Sequence, residues 1–297
     1  MDAPTHKPIP TAVAWSALVI IGVAWGTTQL MSKVVVSAGH HPIGIAFTAT
    51  ALGAIIVSAI MLSTGRRLPL QRRDLIFFGI CGLLGTALPN SVSYYAYQEL
   101  QVGIISIVMA SVPMATLLGA LLVGLERIEP VRLTGISFGA IAVLILVLPD
   151  ASLPDPGQAL WILLPVITSL SYAAENIYLA WAKRVDLDPL QVLCGLFWGA
   201  LVLLTPVALS LGVWMPVGRF DQAEWAMIAM TVAHIGAYGG FVWLIGAAGP
   251  VFAAQVGYVV TLTGVFLGMA VLGETHSAWV WLSLVTMLAG LALVQPR

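Results

Sequence analysis

The sequence contains very few charged residues for its length. Of its 297 residues, 12 are Lys or Arg and 13 are Asp or Glu, so 8% are charged and 60% are hydrophobic. Soluble globular domains average about 25% charged residues, and a soluble fold of this size could not cover so much apolar surface. A lipid bilayer removes that difficulty, because the lipid tails are themselves the solvent. The composition therefore predicts an integral membrane protein in contact with lipid.

Two further scarcities exclude other classes of protein. The net charge is −1, so the chain lacks the basic surface with which proteins bind nucleic acid. The two cysteines, Cys81 and Cys194, both lie in apolar runs, which indicates small core residues rather than a disulfide or a metal site. We expect no nucleic-acid partner, no metal and no cofactor.

Long apolar segments fill almost the whole chain. A helix needs about 20 apolar residues to cross the bilayer core, and the breaks between the segments contain the Gly and Pro residues typical of turns. The first segment continues to about Val36, which is too long for the apolar part of a cleaved signal peptide. We predict an all-α membrane protein with ten transmembrane helices, at residues 12–36, 43–64, 74–98, 102–124, 131–149, 158–182, 189–212, 224–247, 250–272 and 277–295.

The cations are distributed unevenly between the two sides of these helices. If the N-terminus is inside, the outer side holds only Lys33 and Arg219. Cytoplasmic loops carry an excess of Lys and Arg, so we predict that both termini are cytoplasmic and that the chain is a multi-pass protein of the bacterial inner membrane. The inner residues are Lys7, Arg66, Arg67, Arg72, Arg73, Arg127, Arg132, Lys183, Arg184 and Arg297.

The two halves of the sequence echo each other. The stretch from Ser111 to Glu126 resembles the stretch from Val259 to Glu274, 148 positions later, since both are apolar, contain small residues and end in an acid. We predict two repeats, at residues 1–149 and 150–297. Each repeat contains five helices, an odd number, so the second must enter the membrane in the opposite direction. Inverted repeats are a transporter architecture, with the substrate site near the midplane.

Three short stretches carry a family resemblance. They are the Trp25-Gly26 pair, Pro113 with the downstream Leu-Leu-Val-Gly-Leu-Glu126, and Leu272-Gly273-Glu274. In these stretches and in its ten predicted spans the chain resembles the drug/metabolite transporter superfamily, with two EamA-type domains. The resemblance implies a secondary transporter that exports amino acids and other metabolites, and the YddG-type branch exports aromatic amino acids. The chain departs from the pattern at Thr261, where the second half lacks the proline that would match Pro113.

Motifs of the two competing functions are absent from the sequence. The chain has no HExxH, GxSxG or Walker motif, which membrane enzymes or ATPases would use. It also has no repeated filter loop or pattern of charged rings, which would indicate a channel. We predict no enzymatic activity and no catalytic residue, and a membrane-embedded enzyme or a channel is the alternative to transport.

Polar and aromatic residues recur along five of the predicted helices at the spacing of one helical face. Polar groups are costly in a bilayer core, so they tend to face the bundle interior or a wet cavity. We predict one shared cavity, in which aromatic faces stack on a flat apolar group or on an ammonium. That chemistry suits amino acids, aromatic or broadly neutral, carried by alternating access. The predicted substrate-binding residues are Trp25, Gln29, Asn90, Tyr94, Tyr97, Glu175, Tyr178, His234, Tyr238 and Tyr258.

These residues also have structural interpretations. Tyr and Trp stripes are often packing or an interfacial belt, and Gln29 and Asn90 are equally explained as hydrogen-bond partners between helices. His234 is either a structural histidine or a ligand contact or proton carrier.

The acidic residues leave similar alternatives open. Glu175 either extends toward Lys183 or Arg184 or lines the transport pathway. For Glu126 and Glu274 the sequence favours anchoring of helix ends, beside Arg127 and His276 respectively.

Overall fold

The computed structural model describes residues 10–127, 129–148, 152–182, 184 and 186–294. Within these ranges all the regular secondary structure is helical. The predicted boundary between the repeats, at residues 149 and 150, lies outside the described residues. So do the predicted inner cations Lys7, Lys183 and Arg297.

The helices overlap the predicted segments closely. Eight of them are long and apolar enough to cross a membrane, and two more apolar helices of 10–17 residues, α9 and α10, complete the described chain. The count of ten spans and the placement of the termini stay predictions. The helices are α1 Thr11–Ser37, α2 Pro42–Ser63, α3 Arg72–Glu99, α4 Val102–Leu122, α5 Pro130–Val147, α6 Gly157–Ala182, α7 Pro189–Leu211, α8 Gln222–Ala248, α9 Val256–Leu272 and α10 Ala278–Val294.

Local sequence sets where these helices begin and end, and α7 shows how. Asp188 accepts hydrogen bonds from the backbone N–H groups of Leu190 and Gln191, at 2.8 and 3.1 Å, and Pro189 is the first helical residue. An acidic cap satisfies N–H groups that have no partner within the helix, and proline needs no such partner. The helix ends at Gly212, whose φ of 64° favours glycine because it has no Cβ.

Prolines interrupt two of the helices at the cavity described below. In α3 a π-helical turn at Leu83–Ala87 precedes Pro89, and in α4 the helix breaks at Ala110 and Ser111, just before Pro113. Proline cannot donate the hydrogen bond to the residue four positions earlier, and its ring crowds that carbonyl. The second half has Thr261 instead of Pro113, and there α9 is unbroken from Val256 to Leu272. The Thr261 side-chain hydroxyl also donates to the carbonyl oxygen of Gly257, at 2.9 Å.

The helix packing joins the two halves. Helix α1 of the first half lies against α8 and α9, and α6 of the second half lies against α3 and α4. The remaining major pairs are α2 with α7, α3 with α7, α4 with α9 and α5 with α10. Small residues allow close approach: the backbones of Gly135 on α5 and Gly290 on α10 lie so close that a Cβ on either would overlap the other's carbonyl oxygen.

Candidate functional site

A central cavity of about 720 Å³ lies between α1, α3, α4, α6, α8 and α9. These six helices supply most of its lining, and residues of α2, α5, α7 and α10 complete it. Of the ten predicted substrate-binding residues, eight line this cavity. They are Trp25, Gln29, Asn90, Tyr94, Tyr97, Glu175, His234 and Tyr238.

One wall of the cavity is aromatic. The ring of Trp25 on α1 lies 5.3 Å from that of Phe241 and 6.2 Å from that of His234, both on α8. The interplanar angles are 55° and 51°, so neither neighbour covers the indole by face-to-face stacking. The wall can therefore present both apolar ring surface and ring edges to a ligand.

A second wall combines hydroxyl groups with methionine sulfur. The sulfur of Met230 on α8 accepts a hydrogen bond from Ser32 at 3.6 Å and lies 4.0 Å from the hydroxyl of Tyr94. The Ser106 hydroxyl on α4 donates to the amide oxygen of Gln29 at 2.5 Å. These contacts tie α1 to α3, α4 and α8 at one end of the cavity. The amide of Gln29 is therefore both a lining group and an interhelical hydrogen-bond partner.

The third wall contains the acid Glu175 on α6. Its carboxyl group lies directly against Gly85 in the π-helical turn of α3, where a Cβ would overlap it. Among the described residues Glu175 forms no hydrogen bond and no ion pair. Arg184, one of its predicted alternatives, instead binds Asp74 at 2.6 Å. The structure thus places Glu175 on the cavity, whereas Lys183 lies outside the described residues.

Two predicted residues do not line the cavity. Tyr178 on α6 stacks on Phe77, with ring centroids 5.8 Å apart, and packs beside Trp181 at 6.0 Å. Tyr258 on α9 packs partly buried against the main hydrophobic core. At α9 the lining residues are Val256, Gly257, Val260 and Thr261, so the residue before Tyr258 meets the cavity and Tyr258 does not.

Several lining residues were missed by the sequence prediction. Tyr172 could have been found, because it lies three residues before Glu175 on the same face of α6, and its hydroxyl donates to Asn90 at 3.4 Å. The serines and threonines gave no such signal, because many other Ser and Thr residues of the apolar helices do not line the cavity. The other missed polar and sulfur-containing lining residues include Thr50, Thr86, Ser93, Ser106, Met109, Thr116, Asn176 and Met230.

The cavity extends to one end of the bundle, which we call the basic end and define by Arg66, Arg73, Arg132 and Arg184. There it is lined by Arg132 and by Glu126, whose side chain is 45% exposed, and these two groups pair at 3.0 Å. The sequence had placed Glu126 beside Arg127, but the partner in the structure is Arg132, because α5 brings its first turn back toward the end of α4.

Other ion pairs at the basic end join α3 to the connection between α6 and α7. Arg184 binds Asp74 and Asp186, and Arg73 also binds Asp186, at 3.0 Å. The hydrogen bond from Arg184 lowers the pKa of Asp186 to about 2, and the same hydrogen bond raises the pKa of Arg184. Both groups are therefore charged at neutral pH.

The opposite end, which we call the capped end, is closed by backbone contacts and is defined by Lys33, Leu100–Gly103 and Glu274–His276. Glu274, after α9, accepts hydrogen bonds from the N–H groups of Val102 at 2.6 Å and Gly103 at 3.0 Å, at the start of α4. Lys33 donates to the carbonyl oxygens of Tyr97 at 2.6 Å and Leu100 at 3.0 Å. Anions are stabilised at helix N-termini and cations at helix C-termini.

Close packing completes the capped end. The imidazole of His276 lies 3.8 Å from the Glu274 carboxylate, and a Cβ on Gly103 would overlap it. Burial lowers the pKa of His276, and the nearby carboxylate opposes this to a smaller extent. Among the described residues, none from Gln98 to Ile105 and none from Gly273 to Ser277 lines the cavity. The cavity therefore does not extend to this end.

Comparison with known proteins gives a consistent result. Residues 13–148 match the EamA-like transporter family. The uncharacterized inner membrane transporter YedA of Escherichia coli strain K12 is 26% identical over 288 residues, which cover 94% of this chain and 90% of that protein. YedA of strain O157:H7 matches to the same extent. One solved crystal structure has a TM-score of 0.64 at 16% identity and covers 96% of this chain and 98% of that chain, which shows the same fold.

The first half of the chain is thus similar to EamA-like transporters, and the chain as a whole is similar to an inner membrane transporter, which points to a membrane transporter rather than an enzyme. With the apolar helices, these similarities also establish the cellular location. The chain is a multi-pass protein of the inner membrane.

Proposed function

We propose that this inner-membrane protein is a secondary transporter that exports small organic metabolites, with aromatic or broadly neutral amino acids as the first candidates. Transport proceeds by alternating access between two inverted five-helix repeats. The observation that carries the proposal is the central cavity, which extends to exposed residues at the basic end and stops short of the capped end. A carrier that opens to one side at a time has this arrangement in one of its two states.

The helix packing supports the inverted repeats. If the halves are exchanged, α1 becomes α6, α3 becomes α8 and α4 becomes α9. The contacts of α1 with α8 and α9 then become those of α6 with α3 and α4, and both sets are present. The ends of α4 and α9 agree in detail, since Glu126 N–H bonds the Ala120 oxygen at 3.3 Å and Glu274 N–H bonds the Gly268 oxygen at 3.2 Å.

The distribution of cations indicates on which side of the membrane the cavity opens. The basic end carries Arg66, Arg73, Arg132 and Arg184, and an excess of Lys and Arg is typical of cytoplasmic loops. We assign the basic end to the cytoplasm. A substrate of the exporter would then enter the cavity from the cytoplasm and leave when the capped end opens.

The lining of the cavity supports a substrate with a flat apolar part and a few hydrogen-bonding groups. Trp25 and Phe241 supply aromatic surface, and Asn90, Tyr94 and Ser93 supply polar groups. Hydrophobic and aromatic linings with a few placed polar groups are typical of small-molecule sites. An aromatic amino acid fits this combination, as in the YddG-type branch that the sequence resembles.

The driving force in this proposal is a gradient of the substrate or of an ion. The sequence has no Walker motif, and export down a metabolite gradient needs no coupled ion. Glu175 and His234 are the candidates for a proton carrier, because both line the cavity. If the double variant Glu175→Gln/His234→Gln transports with the same pH profile as the parent, proton coupling through these residues is excluded.

Counterflow in proteoliposomes tests the function. Vesicles containing the purified protein are preloaded with one unlabelled amino acid, and uptake of labelled phenylalanine, tryptophan, threonine or methionine is followed. We expect saturable exchange with aromatic or broadly neutral amino acids. The variant Trp25→Leu should lower this exchange about 10-fold, because it removes a principal ring of the lining. The matched variant Trp243→Leu should not, because Trp243 is 48% exposed and does not line the cavity.

The outcomes separate the candidate functions. Flux that does not saturate indicates a channel, and conversion of the substrate into another molecule indicates an enzyme. Absence of exchange with any amino acid, in vesicles shown to hold folded protein, excludes the amino-acid assignment. Nucleosides, sugars and lipophilic cations are then the next substrates to examine.

A further inference from the structure

We infer that Glu175 and the π-helical turn of α3 form a binding site for the amine of the substrate, so that the amine is required for recognition and a carboxylate is not. This inference rests on the proposed function, and it narrows the substrate class to amines with an apolar or aromatic body. Amino acids, their amides and the corresponding decarboxylated amines all belong to that class.

The first argument is the balance of charge in the cavity. Its lining contains three carboxyl or guanidinium side chains, those of Glu126, Arg132 and Glu175. Glu126 and Arg132 pair with each other at the basic end, at 3.0 Å. Lys33, the nearest lysine toward the capped end, does not line the cavity and donates to two backbone carbonyls. Among the described residues, Glu175 is therefore the one acid of the cavity without a cationic partner.

An acid in that situation has a chemical preference. A carboxylate away from bulk water is stabilised strongly by a cation and poorly by apolar surroundings. Because no Lys or Arg of the described chain provides that cation, a bound ligand with an ammonium group would. Aromatic faces favour the same group through cation–π attraction, and Trp25, Tyr172 and Tyr238 are on the same cavity.

The second argument is the way the chain makes room for this carboxyl group. It lies flat against Gly85, and any side chain at that position would overlap it. Gly85 is the middle residue of the π-helical turn Leu83–Ala87, and π-turns within α-helices occur frequently at functional sites. Pro89, which cannot donate to the carbonyl of Gly85, lies just beyond this turn. The acid is thus held by shape rather than by a charged or hydrogen-bonding partner.

The third argument concerns the other end of an amino-acid substrate. Its carboxylate would find only neutral donors on this wall, among them Asn90, Ser93 and Thr86. These groups can donate hydrogen bonds to a carboxylate but bring no opposite charge to it, whereas the amine would meet the carboxyl group of Glu175 with a charge of opposite sign. Loss of the carboxylate should therefore cost much less affinity than loss of the amine.

Ligand binding to the purified, full-length protein tests the inference directly. Isothermal titration calorimetry is performed with phenylalanine, phenylalaninamide, 2-phenylethylamine and 3-phenylpropionate. We expect the three amines to bind and 3-phenylpropionate to bind at least about 30-fold more weakly, as expected for loss of a partly buried charge pair. Glu175→Gln should weaken the amines by a similar factor and leave 3-phenylpropionate unchanged.

A pair of glycine variants separates the site from general effects on folding. Gly85→Ala crowds the carboxyl group while keeping Glu175, and we expect it to weaken amine binding about 10-fold. Gly79→Ala on the same helix meets no atom within 4 Å and should bind amines like the parent. The two substitutions make the same chemical change in α3. A difference between them in amine affinity is therefore due to the contact between Gly85 and the carboxyl group of Glu175.

The results distinguish this inference from the proposed function. Binding of 3-phenylpropionate as tight as that of the amines, binding unchanged in Glu175→Gln, or no binding of any amine by folded protein overturns the amine site. Saturable exchange without preference for amines overturns it and leaves transport standing. Binding of amines without any exchange in proteoliposomes supports the site and overturns transport.

Discussion

At the basic end, the carboxylate of Glu126 lies near the surface beside Arg132, whereas at the capped end the carboxylate of Glu274 is buried on two backbone N–H groups. The two glutamates are 148 positions apart and leave their helices with the same backbone hydrogen bond. Equivalent local structure therefore carries two different contacts. Under the alternating access that we propose, this difference would belong to the state of the protein, with the cap engaged at the end that is closed.

The contrast has a second cause in the sequence of the second half. The residues matching Val102 and Gly103, 148 positions later, are Pro250 and Val251. Proline has no N–H group, so a cap formed by Glu126 at this position would have one donor fewer than the cap formed by Glu274. We expect the cap at the basic end to be the weaker of the two. This favours the state in which the basic end is open.

Replacement of the two glutamates gives the largest expected difference between the ends. Glu274→Ala leaves the N–H groups of Val102 and Gly103 without an acceptor, at a cost of about 1–3 kcal/mol for each buried group. A shift of one or two kcal/mol changes a two-state ratio roughly 5- to 30-fold. We expect the capped end to open more often by that factor. Glu126→Ala removes a surface ion pair, which contributes about 0–1 kcal/mol, and should not have this effect.

Cysteine labelling measures the opening of the capped end. Ser32, which is 8% exposed and lines the cavity, is changed to Cys in a protein with Cys81→Ala and Cys194→Ala. A membrane-impermeant maleimide is added from the side of the capped end. Faster labelling in Glu274→Ala alone is the expected result. Equal rates in the two glutamate variants would show that Glu274 does not hold this end closed.

His276 at the capped end should make the stability of the protein depend on pH. Burial lowers its pKa from the ordinary value of about 6.5, so the neutral imidazole is favoured in the folded protein. Its contribution to stability is present above about pH 6.5 and is lost as the pH falls through the lower pKa of the folded state. The charged group that faces it is the Glu274 carboxylate, 3.8 Å away.

Thermal unfolding of the purified protein between pH 7.5 and pH 5 measures this effect. We expect the unfolding midpoint to fall with pH in the parent and to fall less in His276→Gln. His41→Gln is the control, since His41 lies near the same end but is exposed and caps α2 through Ile43. An identical pH profile in the parent and in His276→Gln would exclude His276 as the origin of the dependence.

Much of the fold follows from local sequence. Apolar length gives the helices, and Pro and Gly give their ends, as Pro189 and Gly212 do for α7. The site was also partly predictable. Trp25, Tyr94 and His234 each belong to a row of polar or aromatic residues at helical spacing on their own helix, and all three line the cavity. Local spacing does not determine which of two adjacent helix faces meets the cavity, and Tyr258 does not line it.

The partners of the charged residues were harder to predict, because they depend on contacts between distant parts of the chain. Glu274 binds backbone N–H groups more than 170 positions away, at the start of α4. Every residue except proline has a backbone N–H, so the sequence does not indicate which of them binds Glu274. The ionisable side chain of His276, two positions from Glu274, can be identified from the sequence. The sequence interpretation accordingly gave His276 as the neighbour and had no means of finding the cap.

The smallest expected effect is at the exposed ion pairs of the basic end, and Asp186→Asn tests it. The pKa of Asp186 is lowered to about 2 by its hydrogen bond with Arg184, so its contribution to stability is present above its ordinary pKa and is lost only as the pH falls through about 2. Asp186 is 45% exposed, and exposed pairs are screened by salt. We expect the unfolding midpoint of Asp186→Asn to match that of the parent in 0.15 M salt, whereas Glu274→Gln lowers it clearly. If Asp186→Asn lowers the unfolding midpoint as much as Glu274→Gln does, the two ends are equally stable. The contrast between a buried cap and an exposed ion pair would then not explain why the cavity extends to the basic end.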